Sequence, residues 1–211
     1  RKDLVLLADQ MISVKQEISG AMETDKPSAD LISDLLQSNN NYFAKLEEIA
    51  NEEINLINFN LGNRLISMIN HLKEKYSIKV DFAEEGFKEN FVKKFIAEKK
   101  LLIISNALPR DSKEFLIAHQ IGLLTAKEAI ETKLKLEGIT DKNTLALGKT
   151  VLANYFASCI LMPYDAFWNA AKKYRYDIDM LSNRFDASFK QVCHRLTTLN
   201  KQNKKGVPFH F

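Results

Sequence analysis

The stretch 115–124, Phe-Leu-Ile-Ala-His-Gln-Ile-Gly-Leu-Leu, predicts the helix around which the rest of the chain is organised. In the metal-binding motif His-Glu-x-x-His, two histidines four residues apart share one helical face and ligate the ion. Here His119 takes the first position, Gln120 replaces the glutamate and Leu123 replaces the second histidine. An amide cannot take a proton from a metal-bound water, and leucine cannot ligate. The stretch is therefore either a metal-site helix without its chemistry or a helix with one incidental histidine.

The composition is typical of a globular protein that is neither secreted nor embedded in a membrane. The chain has 211 residues, 45% hydrophobic and 27% charged, enough for one substantial core or two small ones. No apolar run reaches the length of a membrane span, and no signal-peptide pattern opens the chain. Cys159 and Cys193 form no Cys-x-x-Cys pair, which favours a reducing, cytoplasmic setting without a disulfide framework.

Charge is distributed unevenly along the chain. Residues 1–60 contain 11 acidic and 5 basic side chains, whereas residues 61–211 contain 16 acidic and 25 basic ones. The excess of cations is either a solvated surface or a face that meets an anion, such as nucleic acid or a phosphorylated ligand.

Residues 1–57 predict a helical hairpin that serves as a linker or dimerisation element. Apolar residues spaced by three and four form an a/d seam, and they are Leu4, Leu7, Met11, Val14, Ile18 and Ala21. Lys26-Pro27-Ser28 breaks this helix, and a second helix runs from there to about Ile57. The seam packs either within the chain or against a second subunit.

Residues 58–211 predict a second domain in which helices surround a small sheet. Residues 61–76 form a helix, residues 77–82 alternate as a strand, and residues 91–97 and 101–105 form a β-hairpin. Asp111 or Ser112 is expected to cap the helix that carries His119, and further helices are expected at 145–162 and from 165 to about 174. The predicted fold class is α+β, mainly helical with a small antiparallel sheet.

The C-terminal part predicts a helix–turn–helix shape. Two helices, 178–185 and 189–196, flank a turn at residues 186–188, and Ser188, Lys190 and Gln191 are its candidates for reading DNA bases. The alternative is a packing corner that binds nothing. The last stretch, 206–211, reads as a strand without a partner, and with Arg1 at the other end it suggests a domain excised from a longer protein.

Two helices together resemble the ImmA/IrrE metallopeptidase-like family. The first contains Ala118-His119 and Ile121-Gly122, and the second contains Ala153-Asn154-Tyr155-Phe156-Ala157 before Leu161-Met162-Pro163. In that family the second helix supplies an acidic third zinc ligand, and the corresponding residue here is Thr150. The resemblance therefore implies a degenerate zincin-like core with neither metal nor catalysis. The alternative is a degenerate metallopeptidase with residual hydrolase activity.

The resemblance is closer to the bacterial regulators that sense short-chain fatty acyl metabolites, of the propionate/methylcitrate or glyoxylate type. It is strongest from about Leu101 to Phe211, and it rests on Leu108-Pro109, the stretch 118–124, Cys193-His194-Arg195-Leu196-Thr197-Thr198-Leu199 and Gly206-Val207-Pro208-Phe209. It implies the ligand-sensing part of a homodimeric regulator, whose effector is a short-chain acyl-CoA bound without turnover. It also implies a DNA-binding domain before this region and, after it, a cysteine-bearing domain with a possible iron–sulfur cluster.

An acyl-CoA needs an apolar slot, a flat surface for adenine and cations for its phosphates. The residues expected to meet these needs are Tyr155 and Trp168 for stacking and Arg64, Arg110, Arg195, Lys204 and Lys205 for charge. The alternative places the aromatics in the core and the lysines in a solvated tail. His119 either donates a hydrogen bond to a ligand carbonyl or is satisfied inside the core.

Overall fold

The computed structural model describes residues 26–57, 59, 63–83, 92–209 and 211. Within these residues there are nine helices and three strands: α1 (Lys26–Ser38), α2 (Ala44–Ile57), α3 (Arg64–Tyr76), β1 (Lys79–Ala83), β2 (Lys93–Ile96), β3 (Leu101–Ser105), α4 (Arg110–Thr125), α5 (Lys127–Leu136), α6 (Lys142–Leu161), α7 (Tyr164–Lys173), α8 (Ile178–Phe185) and α9 (Phe189–Thr197). The predicted class, mainly helical with a small sheet, is confirmed. The seam predicted at residues 4–21 lies outside the described residues.

Helix α6 lies at the centre of the core. It is apolar on every face, and α1, α2, α4 and α5 all pack against it. It is the one helix in the described part of the chain that is long and apolar enough to cross a membrane. However, 72% of the 18-residue apolar stretch within it is buried inside the protein. A helix that is hydrophobic all round belongs in a core when other elements cover it. The apolar composition of α6 is explained by this burial.

Helix α4 packs closely against α6. A Cβ atom added at Gly122 of α4 would lie 2.9 Å from Cδ1 of Phe156 on α6, a residue with no exposed surface. Glycine at this position therefore lets the two helices approach, and it sets the distance between the His119 helix and the core.

The three strands form one sheet in the order β1-β3-β2. The predicted hairpin is confirmed, because β2 and β3 pair antiparallel across the 3-10 turn Ala97–Lys99. The expectation of a wholly antiparallel sheet was wrong, because β1 pairs with β3 in parallel, with Lys79 opposite Leu101. Strand β2 intervenes in the sequence between these two, which gives the chain room to return in the same direction. Leu102 and Ile104 of β3 turn one face of the sheet into the core.

The prediction of one continuous helix from residue 28 to residue 57 was wrong. The chain turns between α1 and α2, where Asn40 and Asn41 have φ angles of 50° and 51°. Asparagine adopts this left-handed conformation more readily than most residues, so the turn has a local cause. Ile32 of α1 and Leu46 of α2 lie in the same core as the rest of the protein. The division into two domains at residue 57 stays a prediction.

Helix α4 begins before both residues that were expected to cap it, Asp111 and Ser112. Its N-cap residue is Pro109, without a side-chain cap, so that Asp111 falls in the first helical turn and Ser112 inside the helix. Proline fixes φ near the value that the chain needs as it turns into a helix. The expectation that Asp111 or Ser112 caps this helix was therefore wrong.

The predicted helix–turn–helix shape is confirmed as α8 and α9. Asp186 ends α8 with a φ of 48°, and Ser188 opens α9 with a capping box to Gln191. The Gln191 amide also donates to the Asp111 carbonyl at 3.4 Å, so the start of α9 lies against α4.

The strand predicted at residues 206–211 is not formed by residues 206–209 and 211. The Gly206 N–H donates to the Leu199 carbonyl at 2.8 Å, and the Val207 N–H donates to the Tyr176 hydroxyl at 3.2 Å. These two N–H groups therefore bond to a carbonyl and to a side chain, and not to a neighbouring strand.

We expect Gly122→Ala to destabilise the fold despite the better helix propensity of alanine. Overpacking against Phe156 costs about 1–3 kcal/mol, which offsets a propensity gain of about 1 kcal/mol. Urea unfolding measures the difference. As a matched test, Phe156→Leu should cost less in the Gly122→Ala background than in the wild type, because it relieves the clash. A Gly122→Ala protein more stable than the wild type would contradict this packing.

Candidate functional site

His119 lies in the middle of α4, with 3% of its surface exposed. Its Nδ1 atom is 2.7 Å from Nζ of Lys93, the first residue of β2, which is itself buried. Its Nε2 atom is buried and has no hydrogen-bond partner among the described residues. An unsatisfied buried polar group costs about 1–3 kcal/mol, so such a group needs an explanation.

Electrostatics keep the His119 ring neutral. Burial lowers the pKa of His119 well below its usual value, and the positive charge of Lys93 lowers this pKa further. A neutral imidazole carries one N–H donor and one acceptor nitrogen. The ring is therefore a fixed dipole at neutral pH and not a charge.

The residues around His119 do not fit a zinc ion. The position expected to supply a third ligand holds Thr150, whose hydroxyl donates to the Ala146 carbonyl at 3.0 Å inside its own helix. Leu123 packs against the hydrophobic core. Across the described part of the chain, no three His, Cys, Asp or Glu side chains are grouped so that they could hold a metal. Zinc needs three or four such ligands, and the donor set supplies one histidine.

Arg195 is fully buried and forms an ion pair with Glu47 of α2. Its Nη1 and Nη2 atoms donate to the two carboxylate oxygens at 2.7 Å and 3.0 Å. Its Nε atom donates to the Met162 carbonyl at 2.9 Å, just beyond the end of α6. The guanidinium group therefore joins α9 to α2 and to the end of α6. Its donors are used inside the fold, and contact of Arg195 with a ligand stays a prediction.

Tyr155 belongs to the same buried cluster. Its hydroxyl donates to Glu47 Oε1 at 2.8 Å and accepts from the Phe43 N–H at 3.2 Å. Burial raises the pKa of Tyr155 well above its usual value, which keeps the hydroxyl protonated as a donor. Tyr155 lies in the core, as one of the two alternatives predicted. Sequence reasoning missed Glu47, although its position three residues before the buried Ala50 placed it beside the apolar stripe of α2.

Arg64 and Arg110 share a different carboxylate, Glu114 of α4, which has no exposed surface. Arg64 Nη1 also donates to the Phe185 carbonyl at 2.9 Å, and Arg64 Nη2 donates to the Asp186 carbonyl at 2.9 Å. Arg64 thereby ties the end of α8 to the start of α4. Arg110 bonds Glu114 through Nε at 2.9 Å, while 53% of its side chain remains exposed.

Trp168, Lys204 and Lys205 lie together on a third surface, where the segment after α9 crosses α7. The Trp168 indole N–H donates to the Lys205 carbonyl at 3.0 Å, and Lys204 Nζ pairs with Asp165 at 2.8 Å. Lys172 Nζ lies 4.5 Å from the centre of the Trp168 ring system. Here an aromatic face and several cations occur side by side, as sequence reasoning expected of a nucleotide-binding surface. The contacts to a ligand stay a prediction.

A further buried cluster, which sequence reasoning missed, joins α2, α3 and the end of α4. Glu53 accepts from His71 at 2.6 Å, from Lys75 at 2.7 Å and from the Thr125 hydroxyl at 2.9 Å. Burial by itself raises the pKa of Glu53, but the hydrogen bonds from His71, Lys75 and Thr125 and the charge of Lys75 together lower this pKa to about 2. The cluster is a satisfied structural network.

These observations define a mainly helical domain whose histidine helix lacks a complete set of metal ligands. The family model described as the IrrE N-terminal-like domain, in peptidase family M78, matches residues 73–197, from the end of α3 to the end of α9. Because this match covers more than half of the sequence, the chain belongs to the IrrE N-terminal-like domain family. The resemblance expected from the stretch Ala118–Gly122 and from the helix that contains Ala153–Ala157 is confirmed.

The relatives within this family are regulators of transcription. The HTH-type transcriptional regulator PrpR of Mycobacterium tuberculosis is 27% identical over 99% of this chain and 45% of its own length. The propionyl-CoA carboxylase regulator of Cereibacter sphaeroides is 39% identical over 54% of this chain and 25% of its own length. A solved structure of a Mycobacterium tuberculosis transcriptional regulator has a TM-score of 0.78 at 27% identity, over 83% of this chain and 53% of that one. The chain thus spans less than half the length of these two curated relatives.

Breaking the Arg195–Glu47 pair should lower the free energy of unfolding strongly. We expect Arg195→Met to cost about 3–5 kcal/mol, because Glu47 is left buried and uncompensated. The double variant Arg195→Met with Glu47→Met should recover most of this loss, since no charge remains in the core. Urea unfolding measures both. Asp165→Asn, which breaks the exposed pair with Lys204, is the control and should cost less than about 1 kcal/mol.

Glu53 should make stability depend on acid pH. Its pKa is about 2 in the folded protein against an ordinary value of 4.5, so its contribution is complete above pH 4.5 and is lost as the pH falls toward 2. At neutral pH we expect Glu53→Gln to be less stable than the wild type by up to about 3 kcal/mol, and the gap to close on acidification. Urea unfolding across this range, with the exposed neighbour Glu52→Gln as control, measures the effect. A gap that stays constant with pH would contradict it.

Proposed function

We propose that this chain is the ligand-sensing core of a bacterial transcriptional regulator that binds a short-chain acyl-CoA without catalysis. Binding would modulate an attached helix–turn–helix domain, so the partners of the whole protein are DNA and a second copy of itself, in the cytoplasm. The observation that carries this proposal is the His119 helix. The buried Nε2 atom of His119 has no hydrogen-bond partner in the described part of the chain, and Leu123 and Thr150 occupy the positions expected to hold the other metal ligands.

The chemistry at this helix favours binding over turnover. Hydrolysis of a thioester or peptide needs a base for the attacking water. Gln120 is an amide that cannot accept that proton, and the buried His119 is held at its Nδ1 atom by Lys93. A ligand at this position would therefore meet a hydrogen-bonding group in an apolar setting and leave unchanged. This is what a metabolite sensor requires.

The choice of ligand is supported by the relatives and by the surface around Trp168. One relative is named as a propionyl-CoA carboxylase regulator, and PrpR, a regulator of transcription, matches nearly the whole chain. A CoA ester carries an adenine ring and several phosphates, which suit an aromatic face and cations. Trp168 offers an aromatic ring with Lys172 Nζ over it, and the backbone of the exposed Lys205 lies against the same indole. The acyl end of the ligand would be the part that reaches toward α4.

Calorimetric titration with propionyl-CoA tests the proposal. We expect saturable binding, with the ligand recovered intact, and weaker binding of free CoA because it lacks the acyl group. Lys205→Gln should weaken binding about threefold, as expected for loss of one exposed charge. The matched control is Lys135→Gln, an equally exposed lysine on α5, which should change nothing. Absence of binding, or release of propionate and free CoA, would contradict the proposal.

A further inference from the structure

The Lys93–His119 contact fixes which ring nitrogen of His119 carries the proton. A lysine ammonium has three donors and no acceptor, so Nδ1 of the neutral ring must accept at 2.7 Å. The remaining proton then lies on Nε2, the atom that has no partner among the described residues. The outcome is an N–H donor, buried in α4 and held in one orientation.

A buried N–H donor of this kind determines which chemical groups of a ligand can bind next to it. A buried N–H with no acceptor is destabilising, and a ligand that supplies an acceptor removes this cost. The residues one helical turn away on the same face, Leu116 and Leu123, are apolar and pack against the core. A neutral carbonyl oxygen suits this setting better than a phosphate, which needs several cations when it is buried.

We infer that Lys93 is a positioning residue that holds His119 as an Nε2–H donor, and that this donor recognises the thioester carbonyl of the bound acyl-CoA. The inference rests on the proposed function and deepens it. His119 becomes the residue that distinguishes a thioester from a ligand of the same shape without a carbonyl. Lys93 does not touch the ligand in this arrangement and acts on it through His119, from strand β2.

The first test is the tautomer, and it needs no ligand. In nitrogen-15 spectra of the histidine-labelled protein, the wild-type His119 should show a protonated Nε2 and an unprotonated Nδ1. Lys93→Met should shift His119 toward a mixture of tautomers, because Nδ1 loses its donor. Lys94→Met is the matched control, since Lys94 is exposed and points to the opposite face of β2. A proton on Nδ1 in the wild type would overturn the inference.

The second test compares propionyl-CoA with its propyl thioether analogue, which lacks only the thioester carbonyl. We expect the wild type to prefer the thioester by about tenfold, the size of one buried hydrogen bond that is made or lost. His119→Phe should abolish this preference, and Lys93→Met should reduce it. Lys93→Arg should retain it, because a guanidinium group also donates to Nδ1. Thermal melts show which variants remain folded. The comparison of the two ligands in the wild type is valid even if no variant folds.

The binding results distinguish the proposal that the protein binds acyl-CoA from the inference that His119 recognises the thioester carbonyl. Equal binding of both ligands by the wild type overturns this inference and leaves the proposed function standing. Binding of neither ligand overturns the proposed function and this inference with it. A preference that persists in a folded His119→Phe variant shows that the carbonyl is recognised elsewhere, and this also overturns the inference.

Discussion

The structure depends on one buried ion pair. Arg195 and Glu47 lie 148 residues apart in sequence, and neither has significant contact with solvent. Two charges in an apolar core are tolerated only when their hydrogen bonds are nearly all made. Here the carboxylate also accepts from Tyr155, and the guanidinium also donates to the end of α6. The first, central and last parts of the described chain are therefore joined at one point.

The polar side chains of helix α4 differ in whether they have hydrogen-bond partners. Glu114 near its start is paired with Arg64 and Arg110, and Thr125 at its end donates to Glu53. His119 lies between them, and its Nε2 atom has no hydrogen-bond partner among the residues that the structure describes. Since Glu114 and Thr125 of the same helix have partners, the Nε2 atom of His119 is a local feature and not a sign of loose packing. A ligand acceptor is the simplest partner for it.

Much of this fold followed from the sequence, because helical periodicity and strand alternation are local signals. The hairpin of β2 and β3, the α8–α9 corner and the helix of His119 all belong to this group. The parallel pairing of β1 and the burial of Arg195 depend on contacts between distant segments, which no local pattern encodes. Lys93 was missed for the same reason, since it reaches His119 across 26 residues. The expected ligand residues form three groups. Tyr155 and Arg195 lie around Glu47, and Arg64 and Arg110 lie around Glu114. Trp168 lies with the two lysines where the segment after α9 crosses α7.

A crystal structure of this protein grown with propionyl-CoA tests ligand recognition by His119 most directly. We expect density for an intact thioester whose carbonyl oxygen lies within hydrogen-bonding distance of Nε2 of His119. We also expect the nucleotide end of the ligand near Trp168. Density for a hydrolysed product, or for a ligand bound away from α4 and out of reach of Nε2, would contradict the proposed recognition.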